Sequence, residues 1–305
     1  MPTNTANFPF LLAPGFRKFF FDSYKATPEQ YMKIANVKKS ERAYEEDAEL
    51  IGIAQMTAKA EGTPIIFQTP AQGGKVRYTH VAFGAGFRVT EEMWEDDLYG
   101  QMVKMPKQLG KAGRIVREVR FFNLLNLGFT TVFGFPKNGV NETLFNTAHT
   151  LLGGGTLANR SATDMDLAIA SLEAAVLLFD NLVDEMGYPV DVAAKWLICP
   201  PNLKQVGREL LGSEFRPDSN VNAINPIRQD GLMMAFPNGC RYLTNSNSWF
   251  LTADKGEHDL QFVERRALRF YTGEDFDTGD AKYKGTQRFS VGVGEWRGTF
   301  GSLGG

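Results

Sequence analysis

Cys199 and His149 are the pair from which this chain could assemble a nucleophile, the imidazole taking the thiol proton so that the thiolate attacks a carbonyl. Cys199, however, ends the apolar run Ala194–Cys199, surroundings that keep a thiol protonated and inert. Of the other histidines, His80 falls in a strand-like stretch and His258 in a charged turn. The run Gly153-Gly154-Gly155-Thr156 suggests a phosphate cradle. It lacks the lysine and the spacing of a phosphate-binding loop and reads as a turn. Asp275, Asp277 and Asp280 around Gly279 resemble part of a calcium loop without its spaced glutamate, and read as a surface turn. No CxxC, HExxH or GxSxG motif occurs. The residues point away from catalysis, and neither a metal nor a cofactor is expected.

Charge is the second chemical signal. Glu91, Glu92, Glu95, Asp96 and Asp97 crowd the start of a helical pattern, and Lys104, Lys107, Lys111, Arg114 and Arg117 follow at three- and four-residue spacing. Acid at the N-terminus and base toward the C-terminus suit the helix dipole. Such a cationic stripe has two readings, a solvated face or a contact with a polyanion through its phosphates.

The elements that would position these groups are unusual in the first 130 or so residues. An aromatic arm carries Phe8, Phe10, Phe16, Phe19, Phe20, Phe21, Tyr24 and Tyr31, and these rings are expected to lie across another subunit. Thr27-Pro28-Glu29-Gln30 signals a short helix running to about Asn36. A two-stranded hairpin is predicted over residues 49–89, its arms Pro64–Gln68 and Val76–Val81 turning at Gly73-Gly74, so that Gln72, Gly73, Gly74, Lys75 and Arg77 form a tip against a neighbouring copy. A two-stranded hairpin is marginal alone in water. From Glu91 to Leu127 an unbroken helix is predicted, about 55 Å long, with the stripe Trp94, Leu98, Met102, Met105, Leu109, Val116 and Val119, and with a kink at Pro106. Each piece exposes apolar surface that one subunit cannot cover, so assembly with copies is expected.

The remainder is conventional. Helices are predicted over Thr163–Met186 and Asn202–Leu211, strands over Ala194–Cys199 and Trp249–Thr252, and a β-rich tail over Leu260–Phe300 with turns at Gly273, Gly279 and Gly285. The class is α+β with an insertion-like middle. At 305 residues, 43% hydrophobic and 22% charged, the composition is globular, and a net charge of −2 confines any nucleic-acid contact to a local patch. The two cysteines make no disulfide framework, which favours a reducing compartment. No stretch approaches the roughly 18 consecutive apolar residues of a membrane span, and no signal peptide is evident, so a soluble, intracellular protein is expected with no membrane partner.

Several segments together resemble the major head protein of Mu-like tailed bacteriophages, within the Hong Kong 97-type capsid fold. They are Ser40–Asp47, Arg77–His80, Thr90–Glu92 with Trp94–Gly100, Asn146–His149 with Leu151–Thr156, Pro200–Leu203, and Asp275–Thr278 with Lys282–Lys284. The resemblance runs from about residue 40 to the C-terminus. It implies an N-terminal arm (1–48), an extended E-loop hairpin (49–89), a peripheral P-domain with a spine helix (90–156), an inserted axial A-domain (157–255) and P-domain return strands (256–305). It further implies a non-enzymatic subunit that forms pentamers and hexamers of an icosahedral shell around double-stranded DNA. Its spine helix would turn the lysine and arginine stripe toward that DNA. Scaffolding, portal and cement proteins would be partners, and assembly would take place in the host bacterial cytoplasm. Recognisable capsid sequence begins near Met1, so scaffolding is expected as a separate protein or already removed. Some relatives crosslink a hairpin lysine to a neighbour's asparagine, and Lys75 is the residue placed for it here. An encapsulin-type compartment of the same fold and an oligomeric hydrolase using Cys199 and His149 are the alternatives.

Overall fold

The computed structural model describes residues 9–50, 55–65, 67, 72–90, 92–93, 96, 100–132, 142–151, 154–217, 223–275 and 278–305. Two four-stranded sheets share one core. The first has the order β1-β10-β11-β4, from Asn36–Lys39 (β1), Leu260–Glu274 (β10), Ala281–Val293 (β11) and Val81–Val89 (β4). The second has the order β12-β9-β7-β8, from Thr299–Ser302 (β12), Trp249–Thr252 (β9), Trp196–Ile198 (β7) and Met233–Met234 (β8). Helix α1 (Pro9–Ala26) and helix α2 (Lys104–Asn126) lie on the first sheet, α2 resting on β11 and α1 on α2.

The first sheet alternates as its sequence dictates. Phe83, Phe87, Tyr283 and Phe289 point to the helices, with Phe83 stacked on Phe289 at 4.6 Å and Phe87 on Tyr283 at 5.0 Å. The turn of the long tail hairpin falls at Gly279, as predicted, whereas Gly273 and Gly285 sit inside strands. The predicted tail then divides. Residues up to Val293 belong to the first sheet, and Thr299–Ser302 pair with β9 in the second, so they are not return strands of the first sheet.

Two predicted elements are corrected by backbone chemistry. The helix expected as unbroken from Glu91 is interrupted. Glu92 and Met93 are helical, with Met93 N donating to Thr90 Oγ1 at 3.3 Å and Asp96 N to Glu92 O at 3.0 Å. The long helix starts only at Lys104, after Gly100 at φ 62°, a left-handed conformation that ends a helical run, and a single 3-10 turn over Gln101–Val103. Pro106 therefore stands in the first turn of α2, where amides have no intrahelical acceptor to lose, so the expected kink has no cause there. The α2 stripe differs too. Val119 is exposed, Met102 and Leu109 face inward as expected, and Trp94 and Leu98 lie outside the described residues. Within the predicted helix from Thr27 to Asn36 only Tyr31–Lys33 is helical, as a single 3-10 turn, and Asn36 opens β1. The Thr27 hydroxyl expected to cap that helix donates instead to Ser23 O at the end of α1.

The middle follows the prediction more closely. Pro201–Leu203 leads into α4 (Lys204–Gly212), and the predicted 163–186 helix shortens to α3 (Ile169–Asp180), capped where Ser171 Oγ accepts from Ala168 N at 2.9 Å. Core rings from all parts meet there: Trp249, Phe250, Phe262, Phe289 and Phe300 are each 0 or 1% exposed.

Close approach of α1 to α2 depends on Gly110. A Cβ at that position would lie 2.3 Å from the Phe20 carbonyl oxygen and 3.2 Å from Tyr24 N. Gly110→Ala should therefore destabilise the unassembled chain by about 1–3 kcal/mol, read as a lower urea midpoint. An unchanged midpoint would mean the helices separate without cost.

Candidate assembly and charge surfaces

The predicted cationic stripe divides at its middle. Lys104, Lys107 and Lys111 are exposed on α2, Lys107 with its ammonium 5.2 Å from the Phe19 ring. Arg114 and Arg117 are each 5% exposed and turn inward, so they cannot form part of a surface stripe. Arg114 lies over the Tyr24 ring at 3.8 Å, donates from Nε to Tyr24 O at 3.3 Å and pairs with Glu29. Arg117 donates to Gln287 Oε1 at 2.7 Å, to Glu264 Oε1 at 2.6 Å and to the Tyr31 hydroxyl at 3.5 Å. Beside them the buried Glu118 accepts the backbone amides of Gln30 at 2.9 Å and Tyr31 at 3.0 Å. Burial pushes this carboxyl up to about 7, opposed by those two amides and by Arg114. The net effect is a clip holding residues 24–31 on α2 and the sheet.

That clip explains the fate of the arm. Phe16 packs edge-on against Tyr283 at 5.2 Å, and Phe20, 0% exposed, lies 4.9 Å from Phe270, so both fill this subunit's own core instead of a neighbour's surface. Phe19 and Phe21 are half-buried, while Phe8 and the Phe10 side chain lie outside the described residues. Sequence patterning cannot tell an intrachain apolar helix face from an interchain one; both need the same residues.

The hairpin differs from its prediction in register. Its strands are β2 (Tyr44–Leu50) and β3 (Gln72–Thr79), paired antiparallel with Lys75 opposite Ala48 and Arg77 opposite Glu46. Gln72, Gly73, Gly74, Lys75 and Arg77 therefore belong to a strand and not to the tip. Lys75 Nζ sits 2.6 Å from Glu46 Oε2, and Arg77 Nε donates to Glu46 Oε1 at 2.6 Å, so the lysine has a carboxylate partner within its own hairpin. The connection from residue 51 to 71 includes Met56, Ile65 and Phe67, which are 96, 66 and 92% exposed. Ile65 and Phe67 were expected in a strand, but Pro64, Ile65 and Phe67 have no regular structure, and Ile66 and Gln68 lie outside the described residues. Near its start, Gln55 N donates to the Tyr188 hydroxyl at 2.7 Å.

The nucleophile pair fails on geometry. His149 has Glu142 Oε2 at 2.8 Å from Nδ1 and Asn159 Oδ1 at 3.0 Å from Nε2, and it stacks on Trp296 at 4.1 Å. Both ring nitrogens are thus occupied by groups other than a thiol. Burial pushes the Cys199 thiol up to about 11 and the Cys240 thiol up to about 12, far from nucleophilic thiolates. Gly154 and Gly155, at φ 92° and 90°, make the turn between the paired segments His149–Thr150 (β5) and Thr156–Leu157 (β6). Asp280 and Asp275 pair with Arg88 and Lys282, and Asp277 lies outside the described residues. Among the described residues no cluster suits a metal ion, and no helix is long and apolar enough to cross a membrane.

A family described as "Phage capsid protein" matches residues 74–301. No curated protein matches. Among solved structures, the capsid of the native GTA particle aligns at TM-score 0.59 with 11% identity, covering 90% of each chain. The capsid of Myoviridae phage XM1 aligns at 0.57 with 11% identity over 89% of each chain. A virus-like particle from Pyrococcus furiosus aligns at 0.51 with 10% identity, over 95% of this chain and 98% of that one.

Two outcomes test the interior chemistry. Arg117→Met should cost the unassembled chain about 3 kcal/mol by leaving Glu264 and Gln287 without their partner, against under about 0.5 kcal/mol for the exposed Arg120→Gln, by urea unfolding. The second concerns His258, which burial pushes down to about 4. The unfolded chain binds that proton first, so stability present above pH 6.5 is lost as pH falls toward 4, about 3 kcal/mol in total. Glu118, pushed up to about 7, contributes in the opposite sense over the same window. The His258 contribution is therefore read as the difference in unfolding free energy between wild type and His258→Gln, which should shrink by about 3 kcal/mol from about pH 6.5 to about pH 4.

Proposed function

We propose that this chain, which belongs to the phage capsid protein family and is a major capsid protein forming an icosahedral shell, builds that shell from pentamers and hexamers closed around double-stranded DNA. The fold is of the Hong Kong 97 type. The observation that carries the proposal is the exposed apolar connection with Met56, Ile65 and Phe67, on a chain of this family. Burying those side chains against a neighbour would stabilise the contact by roughly 1.5–3 kcal/mol each before ordering costs. In this reading residues 44–79 are the E-loop laid on an adjacent copy. The first sheet with α2 is the P-domain, and the second sheet with its surrounding helices is the A-domain. The Mu-like affiliation belongs to the same reading and rests on the motifs quoted from the sequence.

Lys104, Lys107 and Lys111 are the remaining candidates for contact with packaged DNA, needing charge but no base readout. Scaffolding, portal and cement proteins would complete the particle, assembled in the host bacterial cytoplasm. The role is mechanical and non-enzymatic. Cys199→Ala is expected to assemble as the wild type does.

Negative-stain microscopy of the overexpressed chain should show hollow shells or sheets of rings. A small monodisperse oligomer would sink the reading. Co-purified DNA supports the genome-enclosing form, and co-purified enzyme the compartment form. In shells carrying Lys104→Gln, Lys107→Gln and Lys111→Gln, retained DNA should fall, with the log–log salt slope shallower by up to about 3. Unchanged retention and slope would make the three lysines a solvated face.

A further inference from the structure

The first sheet has one face against α2 and one facing outward, and the outward face is strongly cationic. Strand register places Arg88 opposite Lys282, Tyr271 opposite Lys284, Arg269 opposite Thr286, and Arg266 opposite Arg288. On the β4 side the same face carries only Ala82, Gly84 and Gly86 between its ends, leaving an open floor beside the cations. Like charges directly opposite one another in a sheet are destabilising.

This chain resolves that conflict at one end only. Arg88 pairs with Asp280 at 3.3 Å and Lys282 with Asp275, one carboxylate for each cation. Farther along, Arg266 donates to Thr286 Oγ1 at 3.3 Å, Arg288 to His80 O at 3.4 Å, and Lys284 lies 5.6 Å from the Tyr271 ring. Among the described residues no carboxylate lies within ion-pair distance of Arg266, Arg269, Lys284 or Arg288. A hydrogen bond from Arg269, and then the charges of Arg269 and Arg266, hold the Tyr271 phenol below its ordinary range.

The missing carboxylates occur elsewhere on the same chain. Glu274 ends β10, and the register Glu274–Ala281–Val89 puts it at the edge where β4 ends, a few residues before Glu92 and Asp96 in the sequence. Glu274, Glu92 and Asp96 are exposed. The sheet thus has an acidic end and a basic face, complementary in charge.

We propose that the basic face formed by Arg266, Arg269, Lys284 and Arg288 receives the acidic end of a second copy of this chain, around Glu92, Asp96 and Glu274. The contact is heterologous, a different patch from each partner, so every subunit both gives and receives it, as a closed shell permits. It supplies in trans the neutralisation that Asp275 and Asp280 supply in cis. The inference rests on the capsid reading above.

Charge reversal tests it. Arg269→Glu with Lys284→Glu should lower shell yield at least tenfold at low salt, and adding Glu92→Lys with Asp96→Lys on the same chain should restore it. Circular dichroism and melting of the neutral pair Arg269→Gln, Lys284→Gln establish that the sheet folds without these cations. Wild-type yield from the reversed pair, or a folded reversed pair that the compensating changes do not rescue, would overturn the proposal. Neutral-pair shells that form normally but retain less DNA would overturn it in favour of a nucleic-acid contact. A wild-type chain that makes no shells would remove the capsid premise itself, a result separate from those three.

Discussion

A guanidinium taken out of water has to be surrounded by acceptors, and Arg117 draws them from parts of the chain far apart in sequence: Tyr31, Glu264 and Gln287. Desolvation of such a group costs several kcal/mol before its partners compensate. The arrangement is therefore closer to all-or-none than to a graded contact. Once Arg117 is seated, α2 is fixed over β10 and β11. The adjacent Glu118 then fixes where the chain turns after α1, through the amides of Gln30 and Tyr31. Phe20, held close to α2 at Gly110, packs against Phe270 beneath it. The aromatic segment is thereby part of the subunit's own core, whereas Met56, Ile65 and Phe67 of the hairpin connection stay exposed.

This division was half legible in the sequence. The long tail pair, whose two faces differ, declares itself by alternation and by the turn at Gly279, and Trp249–Thr252, buried at every position, by its apolar run. The hairpin register did not. Gly73-Gly74 carries the composition of a tip, yet it sits in β3 because Glu45–Ala48 offers Lys75 and Arg77 a matching acidic strand. That pairing is a long-range choice, invisible to any local window. The break at Gly100 and the harmless position of Pro106 are one error seen twice, since a proline disturbs a helix only after its first turn.

The charged residues show the same limit from the chemical side. Spacing placed Lys104 through Arg117 on one helix, but helical spacing alone cannot say where a face ends. The three lysines stay in water, whereas the two arginines, able to donate in several directions at once, go inward. His149 was identified as a reactive candidate from its residue type. Its neighbours Glu142, Asn159 and Trp296 make it a structural junction, and one of them, Trp296, comes from a segment that sequence distance hides.

The parallel pairing of Asn36–Lys39 with Gln261–Glu264 has a kinetic meaning. More than two hundred residues must leave the ribosome before the first of these strands can find its place, and at about 5–20 residues per second that is a wait of many seconds. During that interval the nascent chain carries an unpaired strand and unsheltered aromatic rings beside identical chains on the same message. Premature pairing between such chains would trap disordered aggregates, so high expression should favour aggregation unless a chaperone, or slow translation, keeps neighbouring nascent chains apart.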